Sequence, residues 1–267
     1  MEGRKTIIAF DIDGTLKEFG GLISKDTIDR LLNFAHVGIV SSRGDTHEIA
    51  RRLGLGFAEI GKGTALAKFA REYPNHLGKV YIADTEFDRK EAEFHGWNFV
   101  NVNDIKLNLA SGEDIRKGYI NTDIREIQGI DLVIDHEKYP LPFEDEIVSE
   151  IILKDFLEHI SWRKTRWFLA ECHRVLKPNG KIYIQCPDLE AIARKIILNP
   201  DFEWGGIKQP EAIGFWVYGR QDEWGGVHKA GFTIPILSKL LVEIGFTVDR
   251  MENDGGSNIL CWARKKP

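Results

Sequence analysis

Residues 6–15 read TIIAFDIDGT, a β-rich run that leads into two aspartates and a glycine turn. A short strand that ends in a glycine turn and opens a helix is how α/β domains place ligand-binding residues at the carboxyl ends of strands. The pattern begins again at residues 106–112, which read KLNLASG. This restart predicts two doubly wound α/β domains in tandem, one over residues 1–104 and the other over residues 105–267.

Composition narrows the class of protein. The chain has 267 residues, 43% of them hydrophobic, and a net charge of −5. That charge argues against a protein whose main work is to coat nucleic acid or an anionic membrane. No apolar run approaches the roughly 18 residues of a membrane span, and the first ten residues do not resemble a secretory signal. The three cysteines lie far apart and predict no disulfide framework. We therefore expect a cytoplasmic protein without a membrane partner.

The first half places polar side chains after successive predicted strands. Asp11 and Asp13 are two positions apart in an extended segment, so their side chains point to the same side. Paired carboxylates of this kind suit a Mg²⁺ site with a nucleophile beside an acid. By itself, however, the DxDG sequence favours a simple turn, in which an aspartate caps a helix or lies in a solvated loop. Four further residues along this half favour phosphoryl transfer over a simple turn. They are Ser41, Lys62, Asp84 and Asp88.

Four motifs of this half, FDIDGTL, GIVSSRG, KGTAL and ADTEFD, resemble those of the haloacid dehalogenase (HAD) superfamily of phosphatases over roughly residues 6–102. The resemblance implies that Asp11 is the nucleophile that forms an aspartyl-phosphate. It implies that Asp13 protonates the leaving alcohol and then activates water. Ser41 and Lys62 would hold the phosphoryl oxygens. The implied Mg²⁺ ligands are Asp11, the backbone carbonyl of Asp13, Asp84 and Asp88.

The spacing of these motifs predicts an open site. Residues 14–40 and residues 42–61 each leave room for one helix and its connections. The cap domain that many HAD phosphatases insert in these gaps is therefore absent. We expect either a large substrate or a cover supplied by the second domain or by another subunit of a homo-oligomer.

The second half alternates predicted strands and helices, with acids at two strand ends. Asp123 and Asp135 each end a short predicted strand. A strand-end acid beyond a glycine turn suits a ribose diol, as in dinucleotide-binding domains. The dinucleotide fingerprint G-x-G-x-x-G is missing, however, because only Gly112 is present in the turn.

Several stretches of this half are similar to class I, type-11-like S-adenosylmethionine (SAM) methyltransferases, with a Rossmann-like fold. They span roughly residues 106–265 and read LNLASG, YINTDI, DHEKYPLPFED, FLEHI, ECHRVLKPNGKIYI and GVHKAGFT. The resemblance implies that the ribose hydroxyls of SAM bind Asp123 and that Asp135 lies near the adenine with Leu141. The implied contacts to the methionine part are Leu109, Ala110, Ser111 and Gly112.

Three details of this half leave alternatives open. Ala110 stands where the family usually has glycine, and its methyl group could crowd SAM. His159 follows the fourth strand and is either the base for methyl transfer or a helix-capping or core histidine. An aromatic insert is either a substrate lid or packing under a long loop; its members are Trp204, Trp216, Tyr218 and Trp224.

Together the two halves predict a bifunctional enzyme. It would hydrolyse a small-molecule phosphoester with Mg²⁺ and methylate a small-molecule acceptor with SAM, first of all a sugar or glycan precursor. One alternative is a nucleic-acid end-processing phosphatase and methyltransferase, which the acidic charge disfavours. Another is a non-catalytic domain that serves as a scaffold or regulator. Ala110 makes this alternative relevant to the second half.

Overall fold

The computed structural model describes residues 6–199, 201, 203, 204, 206–208, 211–221 and 226–267. It contains two larger β-sheets with helices, so the predicted α/β class is confirmed. The chain passes from the first sheet to the second through a short 3₁₀ turn, Val102–Asp104. The predicted boundary between residues 104 and 105 lies at the end of this turn and stays a prediction.

The first sheet has five parallel strands in the order β3-β2-β1-β4-β5. The strands are β1 (Thr6–Phe10), β2 (His36–Ser41), β3 (Phe57–Ile60), β4 (Gly78–Ala83) and β5 (Asn98–Asn101). The helices are α1 (Lys25–Leu31), α2 (Thr46–Leu53), α3 (Lys62–Glu72) and α4 (Glu86–Phe94), with a 3₁₀ turn at Lys17–Phe19. The strand order reverses at β1, so the crevice at the carboxyl ends of β1 and β4 is where such sheets bind ligands.

Burial explains which strands the sequence reveals. All five residues of β1 are buried, as expected for a parallel strand covered on both faces. Each fully buried Ile or Phe of this strand contributes roughly 1.5–3 kcal/mol to folding. Strand β3, in contrast, has four residues at the sheet edge and none of them is buried. It carries no apolar run and was not expected, so residues 42–61 hold a strand in addition to the one predicted helix.

The second sheet has seven strands in the order β13-β14-β10-β9-β6-β7-β8. Strands β6, β7 and β8 are parallel, whereas β14 is antiparallel to both β10 and β13. The antiparallel pair expected at the end of the chain is thus present. The strands are β6 (Ile105–Leu109), β7 (Ile120–Asp123), β8 (Leu132–Val133), β9 (Val148–Lys154), β10 (Leu176–Pro187), β13 (Phe246–Asn253) and β14 (Asn258–Lys265).

Helices occur only in the later part of this half. They are α5 (Thr165–Val175), α6 (Leu189–Leu198), α7 (Glu211–Tyr218) and α8 (Ile234–Ile244). A small two-stranded ribbon, β11 (Glu203–Trp204) with β12 (Ile207–Lys208), lies between α6 and α7, and a 3₁₀ turn occupies Leu157–His159. None of the helices that the structure describes, the longest having 11 residues, has the length and apolar character of a membrane crossing.

The first part of the second sheet departs from the predicted doubly wound pattern. The glycine turn after β6 was expected to open a helix, but residues 110–147, all of them described, contain none. Ala110 and Gly112 both adopt positive φ, 50° and 54°. Two left-handed residues so close together are incompatible with a right-handed helix start. The turn therefore leads into a loop that returns directly to β7.

A buried asparagine holds this loop in place of a helix. The Nδ2 group of Asn121 donates to the carbonyls of Arg116 and Tyr119, at 3.0 and 3.1 Å. Its Oδ1 accepts from the backbone N–H of Arg116 and from Nδ2 of Asn108, at 2.9 and 3.1 Å. Its backbone N–H donates to Oδ2 of Asp131 at 2.9 Å. These bonds satisfy buried polar groups that a helix would otherwise satisfy within itself.

By packing, the chain divides into two compact units. The first comprises Met1–Asp135 with Pro142–Glu150, and the second His136–Leu141 with Ile151–Pro267. Within the first unit, the loop before β8 packs on the start of β4: the N–H of Gly129 donates to the carbonyl of Leu77 at 2.6 Å. A Cβ at Gly78 would lie 2.3 Å from the carbonyl oxygen of Ile130, so this close approach requires glycine.

Candidate functional site

Three carboxylates meet at the carboxyl ends of β1 and β4. One oxygen each from Asp11, Asp84 and Asp88 lies within 4.8 Å of the others. Asp11 directly follows β1 and is 3% exposed, and Asp88, in the first turn of α4, is fully buried. Gly14 makes room for the third acid, because a Cβ there would lie 2.2 Å from Oδ2 of Asp84. We call these three residues the acidic cluster.

Lys62 joins two members of the acidic cluster. Its ammonium group lies 2.8 Å from Oδ2 of Asp11 and 2.7 Å from Oδ1 of Asp88. Burial acts to lower the pKa of Lys62, but its hydrogen bonds to the two carboxylates outweigh that effect and raise the pKa above its ordinary value. Lys62 is therefore a fixed positive charge at the first position of α3.

Asp11 has the environment of an incomplete cation site. Burial raises its pKa, against the opposing hydrogen bond and charge of Lys62. Its Oδ1 atom is buried and has no hydrogen-bond partner among the described residues. A buried carboxylate oxygen without a partner is costly, and a bound cation would remove that cost. Carboxylate oxygens are the ligands that Mg²⁺ prefers, so the acidic cluster fits the ion that the sequence predicts.

Ser41 and Asp13 lie around the same crevice. Ser41 is the last residue of β2, is buried, and acts to lower the pKa of Asp11 against the larger effect of burial. The side chain of Asp13 is mostly exposed and accepts a hydrogen bond from Nη1 of Arg43 at 2.8 Å. Arg43 also bonds Asp45 at 2.7 Å. The carboxylate of Asp13 thus faces Arg43 rather than the acidic cluster, and its metal ligation through the backbone carbonyl stays a prediction.

Two residues of this site were not expected from the sequence. Arg43, two residues after the end of β2, holds Asp13. Tyr81 was unnoticed within a strand; its hydroxyl donates to the carbonyl of Val40 at 3.0 Å and lies 3.3 Å from Oδ1 of Asp88. The sequence offered one indication of its role: a tyrosine in a strand that is otherwise apolar has a hydroxyl that needs hydrogen-bond partners when it is buried.

The glycine turn after β6 is built on backbone hydrogen bonds to β7. The N–H of Ser111 donates to the carbonyl of Thr122 at 2.8 Å, and the N–H of Gly112 donates to Oδ2 of Asp123 at 2.9 Å. Leu109, the last residue of β6, is buried. The predicted contacts to SAM, residues 109–112 and Asp123, are therefore neighbours in the first compact unit.

Arg125 already engages the strand-end acid. Its backbone N–H and its Nε donate to Oδ1 of Asp123, at 2.8 and 3.1 Å. Its Nη2 lies 3.1 Å from where a Cβ on Gly112 would stand, so the guanidinium extends over the turn. A carboxylate has about four lone-pair sites, and hydrogen bonds from Gly112 and Arg125 use all four here. The ribose diol would have to displace the half-exposed Arg125 side chain.

The turn nevertheless contains a group that suits a ligand. The hydroxyl of Ser111 is buried and has no hydrogen-bond partner in the described part of the chain. Asp135 follows β8 by two residues and is partly buried. These observations fit the predicted SAM contacts in the first unit. Leu141 is buried and belongs to the second unit, where its carbonyl accepts from Nη2 of Arg174.

In the second unit His159 does not lie alone. It ends the 3₁₀ turn after β9, and its ring is 5.0 Å from that of His228. Glu158, beside it, is 3% exposed, and burial raises its pKa to about 8. Burial also lowers the pKa of His228. The predicted aromatic lid cannot be followed, because Trp224 and the side chain of Trp204 lie outside the described residues.

Comparison with protein families gives one match, which lies almost entirely in the second half of the chain. Residues 102–184 match the family described as Methyltransferase domain. No curated protein matches the sequence. The similar solved structures are distant. In one, a 1,6-didemethyltoxoflavin N1-methyltransferase from Burkholderia thailandensis, the match has 12% identity and a TM-score of 0.36 and covers 78% of this chain and 79% of that chain.

Two further structures are equally distant. A SAM-dependent methyltransferase from Methanosarcina mazei has 19% identity, with 62% of this chain and 93% of that chain covered and a TM-score of 0.39. One from Mesorhizobium loti has 14% identity, coverage of 74% and 100%, and a TM-score of 0.38. The family match is therefore the finding that bears on function, and it supports a methyltransferase domain over residues 102–184.

Proposed function

We propose that the chain is a bifunctional enzyme that hydrolyses a phosphomonoester in its first half and transfers a methyl group from SAM in its second half. The family match over residues 102–184 supports methyl transfer. The phosphatase activity rests on one observation, the buried Asp11 with one oxygen held by Lys62 and the other without a partner in the described structure. A sugar or glycan precursor is the proposed substrate class.

The residues of the first half would hydrolyse the phosphomonoester in two steps, formation of an aspartyl-phosphate and its hydrolysis. An oxygen of Asp11 attacks the phosphorus, and the bond from phosphorus to the alcohol oxygen breaks. Asp13 gives its proton to the leaving alcohol, so the alcohol leaves neutral. Water then attacks the phosphorus of the aspartyl-phosphate, Asp13 takes the proton of that water, and Asp11 is released with free phosphate.

Charge is the main barrier to this attack, because an anionic carboxylate must approach an anionic phosphate. Lys62 favours the ionised form of Asp11 and offsets part of the negative charge, and the hydroxyl of Ser41 would donate toward the phosphoryl oxygens. Mg²⁺, held by Asp11, Asp84 and Asp88, would supply further screening. Arg43 holds the carboxylate of Asp13 at 2.8 Å and so orients the acid and base.

In the second half, Asp123 and the turn at residues 109–112 are proposed to hold SAM, with Asp135 and Leu141 near the adenine. SAM supplies a methyl group activated by its sulfonium, so the protein's task is chiefly to align the acceptor. His159 is the proposed base for an acceptor that must lose a proton. Cytoplasmic location and association into a homo-oligomer stay predictions from the sequence.

One observation favours a second candidate, a methyltransferase half that does not turn over. The carboxylate of Asp123 is already engaged by Arg125, and Ala110 replaces the usual glycine. In that case the second half would be a scaffold or regulator of the phosphatase. Nucleic-acid end processing has no comparable support from the described residues.

A double-label assay tests the proposal. Purified protein is given Mg²⁺, methyl-labelled SAM and a panel of sugar phosphates, nucleotides and 3′-phosphorylated oligonucleotides. We expect phosphate release that Asp11→Asn abolishes and Asp123→Ala leaves intact, and methyl transfer that Asp123→Ala abolishes. Phosphate release without methyl transfer from any acceptor would favour the non-catalytic second half. Release from oligonucleotides alone would favour end processing. Neither activity on any member would contradict the proposal.

A further inference from the structure

The second compact unit contains a second cluster of side chains that could bind a metal. It shares no residue with the acidic cluster. One ligand atom each from Glu158, His159 and His228 lies within 4.8 Å of the others. Two histidines and one carboxylate form the donor set of many zinc and non-haem iron sites. We call these residues the His-Glu cluster.

Backbone hydrogen bonds fix the two segments that form the His-Glu cluster. Glu158 and His159 lie on the 3₁₀ turn after β9, and His228 lies far along the chain. The carbonyl of Glu158 accepts from the N–H groups of Lys229 and Ala230, at 2.7 and 3.0 Å. The segment that follows His228 is therefore tied directly to the turn that carries the other two residues.

Both imidazoles are oriented in the way that metal-binding histidines are. Nδ1 of His159 lies 3.0 Å from the carbonyl oxygen of Val227, and Nδ1 of His228 lies 3.1 Å from that of Trp216. A carbonyl only accepts, so each neutral ring carries its hydrogen on Nδ1 and its lone pair on Nε2. A backbone carbonyl on the far nitrogen is the usual support of a metal-bound histidine.

Glu158 supplies the independent sign that a ligand belongs here. The residue is 3% exposed, and its Oε2 atom is buried without a hydrogen-bond partner in the described structure. No described lysine, arginine or histidine forms an ion pair with it. Burying an unpartnered carboxylate oxygen is unfavourable unless a proton or a cation compensates it. The imidazole nitrogens of the His-Glu cluster favour a cation that all three side chains share.

We propose that Glu158, His159 and His228 bind a divalent transition-metal ion, with Zn²⁺ as the best-matched ion. Bonds of 2.0–2.2 Å in a tetrahedral site place ligand atoms about 3.3–3.6 Å apart, so ligand atoms that now lie within 4.8 Å of one another close by at most about 1.5 Å when the ion binds. Three protein ligands leave a further coordination position for water or an oxygen of a substrate. Imidazole nitrogens suit Zn²⁺ and other transition metals, whereas the all-oxygen acidic cluster suits Mg²⁺.

This inference is independent of the proposed function, because it concerns binding of the ion alone. When the ion is bound, His159 acts as its ligand and no longer as a base. The binding test therefore needs neither SAM nor a phosphoester, and its failure would leave both proposed activities untouched.

The test is a Co²⁺ titration of the metal-free full chain, followed by visible absorption. Asp84→Asn is included in the background to remove the acidic cluster as a competing site. We expect one Co²⁺ per chain with the visible bands of histidine coordination, displaced by Zn²⁺. Glu158→Gln and His228→Ala should each weaken binding by at least tenfold. His47→Ala, which alters an exposed histidine of α2, is the matched control and should change nothing.

Unchanged binding in both cluster variants, or no visible bands in the parent protein, would overturn the proposal. If a cluster variant does not fold, X-ray absorption at the zinc edge of the Zn²⁺-loaded parent protein serves as the test instead. Two imidazole ligands are then expected. Sulfur ligands, or oxygen ligands alone, would place the ion elsewhere and overturn the assignment.

Discussion

Nε of Arg125 lies 3.1 Å from Oδ1 of Asp123, so the acid that is proposed to hold the ribose of SAM is already engaged by a cation two residues away. The Asp123 side chain is nearly buried, whereas that of Arg125 is half exposed. Because the guanidinium can move into solvent, the pair behaves as a competitor for the ribose hydroxyls rather than as a fixed block.

Arg125→Ala should therefore strengthen SAM binding by about two- to fivefold, the size expected from losing one partly exposed ion pair. Equilibrium dialysis or calorimetry with SAM measures the change. Arg116→Ala is the control, because Arg116 pairs with Asp114 on the same loop. Weaker binding in Arg125→Ala would show that the guanidinium contacts the ligand instead of competing with it.

Ala110 strains the turn that precedes this pair. It has φ of 50°, a conformation that costs an alanine roughly 1–2 kcal/mol relative to glycine before the greater unfolded-state entropy of glycine is subtracted. Ala110→Gly should therefore raise the free energy of unfolding by up to about 1 kcal/mol, measured by chemical denaturation. The opposite change, Gly112→Ala, should destabilise, because Gly112 also has positive φ and Arg125 lies close to it. Equal stability of all three proteins would mean that the turn relaxes freely.

Arg43 is expected to affect turnover more than stability. It bonds the exposed Asp13, so Arg43→Ala should lower kcat for phosphate release by about 10- to 100-fold through loss of positioning of the acid and base. KM and the melting temperature should change little. Arg43→Lys should restore part of the activity, and Arg52→Ala, which breaks a surface ion pair with Glu18, is the control. A fall in melting temperature that matches the loss of activity would indicate a structural role.

Asp131 predicts a pH dependence of stability. Burial raises its pKa from 3.8 to about 7, although Asn121 and Asn98 donate to its Oδ2 atom. Between these two pH values the folded chain binds more protons than the unfolded chain, so this group's contribution to stability falls as pH rises from about 4 to about 7. Relative to Asp131→Asn, the parent should lose on the order of a few kcal/mol across that range.

Chemical denaturation of both proteins at several pH values checks this prediction. The difference between the two free energies of unfolding isolates Asp131 from the other titrating groups. A difference that stays constant or grows as pH rises would contradict the assignment of a raised pKa.

The sequence revealed most of the strands, because strands buried on both faces are apolar runs bounded by turn residues. It missed β3, whose four partly exposed residues form no such run. It also predicted a helix after β6. The glycine turn there is genuine, but a signal of helix initiation does not show that the following residues will continue in helical φ and ψ. Here the positive φ of Ala110 and the side-chain hydrogen bonds of Asn121 favour a loop over a helix.

The candidate sites divide in the same way. Motif order identified Asp11, Lys62 and Asp84, because strand ends in a parallel sheet converge at one edge. It did not reveal the contact of Arg43 with Asp13, which depends on how a loop side chain turns. It also did not join His159 to His228, which only tertiary pairing brings together. Local patterns thus predict positions at strand ends, and side-chain partners require the folded chain.

The phosphatase site is tested by measuring Mg²⁺-dependent phosphate release by the parent protein and by Asp11→Asn. We expect release from at least one sugar phosphate in a panel. This release should be lost on removal of Mg²⁺ and reduced at least about 10³-fold in Asp11→Asn, as expected for loss of a nucleophile. Asp26→Asn, an exposed aspartate of α1, should retain full activity. Release that persists in Asp11→Asn, or that does not require Mg²⁺, would contradict the central claim that Asp11 and the acidic cluster form a phosphatase site.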